Sequence, residues 1–357
     1  MEEIEGDPLD QRTVFESKYG GQSTYGKAAG HVISGHSRSA SWPAARPSIV
    51  ETESNKNRPA SPVEGLKRLV IWQACAGLKW AVRKVCSRPI RQDSSRPSAY
   101  LVNTALSALP FLLFLTVYGN FVKLRHFLGI TDDDVYVFTI SRIEEAIFTV
   151  QPHRIVSSLH CSVLDVLAAL PYLLHYAWPV LYPIYAFLTN RPENAGRFLQ
   201  LLALVMWLHM VVWLCMPTAP PWFVDSLGND VDLRSAVAAA KPSEGAAFAR
   251  VDKLFHAHLF HNMYSGNPCI FGSFPSGHVA WPFAVYLTGP PGGNYFLIYI
   301  VWIIWASMYS IHHYLLDGLV AIIIVTFSWK VLQYLRPSAN GQRDGQRANF
   351  HCPLHIV

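Results

Sequence analysis

The sequence predicts an all-α, polytopic membrane protein built as a bundle of six transmembrane helices. Composition gives the class: hydrophobic residues make up 51% of the 357-residue chain and charged residues only 15%. A soluble domain carries about 25% charged residues. This chain has too few charges to cover a water-facing surface of its size, so lipid is its expected solvent.

Long uncharged segments give the number of helices. A membrane-spanning helix needs about 20 largely apolar residues. The fourth of six candidate segments is long enough only if its helix starts at Pro275 or Ser276. The segments are Ala99–Val122, Val163–Leu188, Phe198–Met216, Val279–Gly289, Asn294–Ile311 and Leu319–Leu335. We therefore assign residues 98–335 to one membrane domain.

The flanking regions differ sharply in composition from this domain. Residues 1–62 are rich in Ser, Gly, Pro and charge, which predicts a disordered cytoplasmic tail and no cleavable signal peptide. Residues 63–97 are a basic amphipathic juxtamembrane segment, which either lies on an anionic membrane surface or packs as a short tethering helix. Residues 336–357 are expected to form a second cytoplasmic tail.

The charge pattern predicts the orientation. Eight basic and two acidic residues lie between Val63 and Tyr100, and cytoplasmic loops are enriched in Lys and Arg. With this block in the cytoplasm, the nearly charge-balanced loops 123–162 and 217–277 fall on the lumenal side. The net charge of +5 is thus an orientation signal, and no nucleic-acid-binding module accompanies it. A Cys161–Cys269 disulfide could form if both residues lie on that lumenal side.

Two short stretches carry the chemical signal, and the topology puts both on the lumenal face. One is Phe274–His278, of sequence FPSGH, and the other is His312–Asp317, of sequence HHYLLD. We expect His313 and Asp317, four residues apart, to stack on one helical face. The carboxylate would then fix the imidazole tautomer and leave Nε2 as a nucleophile. His278, at an expected helix start, could serve as acid and base beside a phosphate held by backbone N–H groups.

Each stretch also has a purely structural interpretation. An HxxxD pair on a helix is usually a surface hydrogen-bond pair, and Pro-Ser-Gly-His can be a simple turn. Ionisable groups at the edges of membrane spans are costly, however, and tend to be functional. Both stretches flank one helical hairpin, which favours a histidine-based site for phosphoryl transfer on a lipid.

These stretches resemble the second and third motifs of the type 2 phosphatidic acid phosphatase superfamily. More narrowly, roughly residues 95–335 are similar to the fungal inositol phosphorylceramide synthases. The segments that carry this likeness are Leu170–Pro179, Pro217–Phe223, Ala249–Leu254, Asn267–His278 and Trp305–Asp317.

The resemblance implies a transferase of sphingolipid metabolism that moves phosphoinositol from phosphatidylinositol to the primary hydroxyl of ceramide. His313 would form a phosphohistidine, Asp317 would orient it, and His278 would act as acid and then as base. No metal or other cofactor is implied. The resemblance also suggests the Golgi and a regulatory membrane subunit.

Two departures from the superfamily pattern concern phosphate binding. The first motif is missing, since Ile184 stands where its Lys is expected, and Ser307 replaces the Arg of the third motif. We expect Ser276, Gly277, Arg250 and Lys253 to bind the phosphate instead. The alternative for the two cations is an ordinary solvated loop pair with Asp252.

Two other functions compete with the transferase. Gly277 is a phosphatase-like choice where the synthases usually have Leu, so a phosphatase acting on a lipid phosphate or an isoprenyl diphosphate is the first rival. The second rival is a non-enzymatic membrane partner protein, which the intact His278, His313 and Asp317 disfavour.

Overall fold

The structure, a computed structural model, describes residues 97–228, 231–243 and 245–335, and these ranges are mostly helical. Within them only two isolated β-bridges occur, Tyr136 with Thr218 and Thr218 with Gly272. The predicted tails and the juxtamembrane segment, apart from Pro97, lie outside the described residues.

Fourteen α-helices occur in the described ranges. They are α1 (Pro97–Tyr118), α2 (Phe121–Phe127), α3 (Thr139–Phe148), α4 (Pro152–Ser158), α5 (Ser162–His175), α6 (Trp178–Leu188), α7 (Pro192–Cys215), α8 (Pro221–Ser226), α9 (Leu233–Ala238), α10 (Ala249–Phe255), α11 (Leu259–Ser265), α12 (Gly277–Thr288), α13 (Phe296–Tyr309) and α14 (Leu315–Leu335).

Three of these helices, α1, α7 and α14, are long and apolar enough to cross a membrane alone. The α5–α6 pair meets the same criterion as one bent unit. The helices α12 and α13 have only 12 and 14 residues. The all-helical, multi-pass class is therefore confirmed, whereas three to four spans qualify rather than six.

The predicted span Val163–Leu188 is not one straight helix. The helices α5 and α6 are bent by 68° at a short break. Pro179 lies in the first turn of α6, where its ring would clash with the carbonyl of His175 in a continuous helix. The chain therefore breaks after His175, and that residue sits at the end of α5.

The central helix is α7, which packs against α1, α6, α12 and α14. Thirteen of its residues are buried. Gly196 lets α1 approach closely, because a Cβ at this position would lie 3.3 Å from Ser107 Oγ. Small residues permit such close helix contacts in membranes. By packing against α7, the two helices that follow the chemical motifs are held beside one another.

The loops predicted to share one face pack together over the start of α14; we call residues 121–158 and 217–276 the cap. The N–H of Tyr136 donates to the carbonyl of Pro217 at 2.8 Å, and the N–H of Trp222 donates to the carbonyl of Ile311 at 3.0 Å. A separate apolar cluster stabilises the cap (Ala219, Phe223, Val224, Val237 and Phe271). The two loops thus cover the end of the bundle that holds both motifs.

The disulfide prediction is wrong. Cys161 and Cys269 are both free thiols, the first exposed and the second buried. Burial raises the pKa of the Cys269 thiol, which keeps it protonated. It therefore behaves as a small packing residue within the cap.

Candidate active site

The two motifs meet at one end of the bundle. His278 is the second residue of α12, His313 lies two residues before α14, and Asp317 is in the first turn of α14. The backbone joins them directly, since the N–H of Ser276 donates to the carbonyl of Asp317 at 3.0 Å. Residues far apart in sequence are thereby held in a fixed relation.

Three side chains form a continuous chain of contacts. His313 Nδ1 lies 3.1 Å from Asp317 Oδ2, and His313 Nε2 lies 2.9 Å from His278 Nδ1. Because the carboxylate can only accept, His313 carries its proton on Nδ1 and its lone pair on Nε2. His278 Nδ1 then donates to that lone pair. This tautomer leaves His313 Nε2 as the basic, nucleophilic nitrogen.

The hydrogen bond between His313 and Asp317 is present, but the reason we predicted for it is wrong. His313 precedes α14, so the two residues do not stack on one helical face. Instead Asp317 reaches back from the first turn, and its Oδ2 also accepts the N–H of Tyr314 at 3.0 Å. The carboxylate thus closes the loop before the helix as well as orienting the imidazole.

A tight turn holds the two adjacent histidines. The carbonyl of Ser307 accepts the N–H groups of both His312 and His313, each at 3.2 Å. Ser307 is itself buried. The residue that stands in place of the expected Arg therefore anchors the histidine loop through its backbone.

His312 is a packed neighbour of the site. Its Nδ1 lies 3.0 Å from Ser310 Oγ, and its ring lies 4.5 Å from that of Tyr264 and 5.6 Å from that of Phe248. Burial lowers the pKa of His312 to about 3, with the nearby His313 acting in the same direction. A neutral, stacked imidazole follows.

A cavity of about 270 Å³ opens beside these rings. Histidine and aromatic residues from α1, α5, α7, α12 and the cap dominate its lining, together with a few small polar groups. Among the described residues that line it are His175, His278, His312, His313, Tyr118, Tyr176, Tyr264, Trp213, Trp222, Trp281 and Asn267. None of the lining residues in the described part of the chain is Lys, Arg, Asp or Glu.

Of the four residues predicted to bind phosphate, one lines the cavity. Gly277 lines the cavity, and a Cβ added there would meet only Met206 Cε, at 3.8 Å. Ser276 adjoins the cavity without lining it. Its N–H is already bonded to Asp317, and its Oγ is buried without a partner. Of these two residues, Gly277 therefore faces the cavity and Ser276 does not.

The structure does not bring Arg250 or Lys253 to the cavity lining. Arg250 binds Asp165 through two nitrogens, with the shorter contact 2.6 Å, and its guanidinium lies over the ring of Tyr309. Asp252, the alternative partner, accepts the N–H groups at the start of α11. Arg250 therefore ties the cap to α5.

Sequence reasoning missed two residues beside the site. The bend after α5 places the His175 ring 4.5 Å from that of His278, and the Tyr172 ring stacks on His278 at 4.4 Å. His175 lines the cavity, and its Nδ1 is hydrogen-bonded to the carbonyl of Tyr172. Pro179, four residues after His175, was the available signal, because it predicts a helix end there.

No group of three or more His, Cys, Asp or Glu side chains in the described part of the chain is arranged to hold a metal ion. The site does bring together imidazoles and a carboxylate of the chain itself. Those groups can attack a phosphorus atom, orient the nucleophile and move a proton.

Comparison with known proteins agrees with this arrangement. Residues 139–331, more than half of the chain, match the PAP2 superfamily. The chain is 28% identical over 206 residues to the inositol phosphorylceramide synthase catalytic subunit of Schizosaccharomyces pombe, covering 55% of this chain and 48% of that protein. It is 25% identical over 191 residues to the phosphoinositol dihydroceramide synthase of Bacteroides thetaiotaomicron, covering 52% and 61%.

The catalytic subunit of the Saccharomyces cerevisiae inositol phosphorylceramide synthase is 26% identical over 236 residues, covering 64% of this chain and 56% of that protein. The chain thus spans between 48% and 61% of the length of these relatives. No solved structure matches it. His278, His313 and Asp317 all fall within the matched residues, and the chain belongs to the PAP2 superfamily.

Proposed function

We propose that this protein transfers phosphoinositol from phosphatidylinositol to the primary hydroxyl of ceramide through a phosphohistidine on His313. The observation that carries the proposal is the contact series from Asp317 through His313 to His278. This series ends at a cavity whose lining includes no Lys or Arg among the residues that the structure describes. The relatives named as inositol phosphorylceramide synthases support the choice of lipids.

In the first half-reaction, the His313 Nε2 lone pair forms a bond to phosphorus. The bond from phosphorus to the glyceryl oxygen breaks, and the protonated form of His278 gives that oxygen a proton, so that diacylglycerol leaves and His278 becomes neutral. Asp317 stabilises the positive charge that develops on His313. The 2.9 Å contact between the two imidazoles leaves no room for phosphorus, so substrate binding must separate them.

In the second half-reaction, His278 is neutral and accepts the proton of the ceramide hydroxyl. The alkoxide oxygen forms a bond to phosphorus while the bond to His313 Nε2 breaks. The product is inositol phosphorylceramide, and both histidines return to their starting states.

The charge of the cavity favours a transferase over a phosphatase that acts on lipid phosphates. A phosphomonoester carries a charge of about −1.5 to −2 at neutral pH, whereas a phosphodiester such as phosphatidylinositol carries one negative charge. No Lys or Arg lines the cavity in the described part of the chain. This lining suits the less charged phosphodiester.

The topology proposed for this function has six membrane crossings, with the site on the lumenal side of the Golgi membrane. In support, the motifs and both long loops meet at one end of the bundle, where α14 begins. The short helices α12 and α13 would form the inner hairpin. A regulatory membrane subunit is part of the same proposal.

An acceptor assay with purified protein tests the function. Incubation with phosphatidylinositol and labelled ceramide should yield a labelled inositol lipid. Release of inositol phosphate without that lipid would reject the synthase in favour of a hydrolase. His313→Ala should abolish transfer, while His160→Ala, at an exposed histidine of the cap border, should leave it intact. Full activity of His313→Ala would overturn the assignment of His313 as the nucleophile, and a wild type that forms no inositol lipid and releases no inositol phosphate would favour the non-enzymatic role.

A further inference from the structure

A buried carboxylate outside both motifs touches the segment that carries the nucleophile. Glu144 lies on α3 and has no solvent exposure. Its Oε1 accepts the N–H of Leu316 at 3.2 Å, which is one of the free N–H groups of the first turn of α14. An acidic group at a helix N-terminus is stabilised by those N–H groups and by the helix dipole.

A histidine of the cap lies against Glu144. His153 of α4, also buried, lies between two carboxylates, with Nδ1 3.5 Å from Glu144 Oε2 and Nε2 3.3 Å from Asp225 Oδ2. Burial alone would lower the pKa of His153, but the carboxylates of Asp225 and Glu144 outweigh it, so the pKa is raised. Arg154 also forms an ion pair with Asp225, at 2.6 Å.

The same network also touches the nucleophile's neighbour. The His153 ring meets the Tyr314 ring edge-on at 5.1 Å. Tyr314 and Leu316 flank the start of α14, so two contacts from the cap hold residues 313–316. His313 is the first residue of that short segment.

We propose that Glu144, held by His153, is a positioning residue that fixes residues 313–316 and thereby the aim of His313 Nε2. This proposal rests on the proposed function for the identity of the reaction, but the contact itself does not depend on it. Loss of the contact lets the loop before α14 shift. A displacement of about 1 Å at a reacting group can cost about 100-fold in rate.

The test compares Glu144→Ala, Glu144→Gln and the matched control Glu145→Gln, which changes the exposed neighbour on the same helix. For Glu144→Ala we expect kcat to fall by about 10- to 100-fold while KM for phosphatidylinositol changes less than about twofold. Glu144→Gln keeps an oxygen for the N–H of Leu316 but loses the charge facing His153, so it should lose less. The control should match the wild type.

Hydrogen exchange of the Leu316 amide gives a second readout that needs no substrate. Glu144→Ala should speed its exchange by about tenfold or more, and Glu145→Gln should not. Unchanged exchange in Glu144→Ala, or a kcat within about twofold of the wild type, would overturn the proposal. A wild type that makes no inositol lipid would defeat the proposed function alone, and the exchange measurement would then decide the positioning role.

Discussion

Replacing Asp317 by Asn should separate catalysis from folding. The carboxylate is fully buried, and its Oδ2 holds His313 Nδ1 at 3.1 Å and the N–H of Tyr314 at 3.0 Å. A hydrogen bond to a charged group has a strength of about 1.5–3 kcal/mol. If this energy is lost from the transition state, each 1.36 kcal/mol lowers the rate tenfold. We therefore expect kcat to fall by about 10- to 150-fold.

Folding stability should change little in the same variant. The Asn side chain keeps an oxygen for the N–H of Tyr314. It also removes a buried charge whose Oδ1 has no hydrogen-bond partner, which offsets the weaker bond to His313. The assay is steady-state transfer to ceramide together with a thermal melt in detergent. Asp133→Asn, at an exposed ion pair with Arg234, is the matched control.

A kcat for Asp317→Asn within about threefold of the wild type would refute the orienting role, because even the weakest estimate above exceeds that change. A loss of activity that is matched by a large fall in Tm would refute it too, since the carboxylate would then act on folding.

Three further outcomes follow from the structure. Arg250→Gln should lower the free energy of unfolding by up to about 3 kcal/mol, and with it Tm, because the buried Asp165 loses its charged partner although the Tyr309 hydroxyl still donates to it. A raised KM for phosphatidylinositol with unchanged Tm would instead show phosphate binding. The pKa of His153 lies above 6.5 and that of Asp225 below 3.8. The contribution of His153 to folding stability is complete below pH 6.5 and is lost as the pH rises through its folded-state pKa. The contribution of Asp225 to folding stability is present above pH 3.8 and is lost as the pH falls through its folded-state pKa. The thermal melt of His153→Gln should therefore show a flatter alkaline decline than the wild type, and an identical decline would contradict this. Gly277→Ala should fold with an unchanged Tm because its Cβ meets no close neighbour, and a large fall in Tm would show that the turn needs glycine.

Sequence periodicity and motif order predicted the general features of the site. The uncharged runs located α1, α7 and α14, and the hairpin between the motifs implied that His278 and His313 would meet. Those inferences succeeded because burial in lipid and short connections leave the chain few alternatives. The predicted count of six spans is not matched by the lengths of the helices. The helices α12 and α13 are too short to qualify, and α5 and α6 form a bent pair.

The remaining features depend on long-range pairing. The sequence around Arg250 does not show that this residue forms an ion pair with Asp165, which lies far away in the chain. Glu144 sits in an ordinary amphipathic helix, and only the packing of the cap brings it to Leu316. A turn rather than a helix face joins His313 to Asp317, because the carboxylate also serves the backbone N–H of Tyr314.

The most direct test of the account is to trap the covalent intermediate. Purified protein incubated with phosphatidylinositol in the absence of ceramide, quenched in alkali and analysed by tandem mass spectrometry, should carry inositol phosphate on His313 Nε2. Two results would contradict the account: active protein that carries inositol phosphate on another residue, or active protein that carries none at any time before product appears.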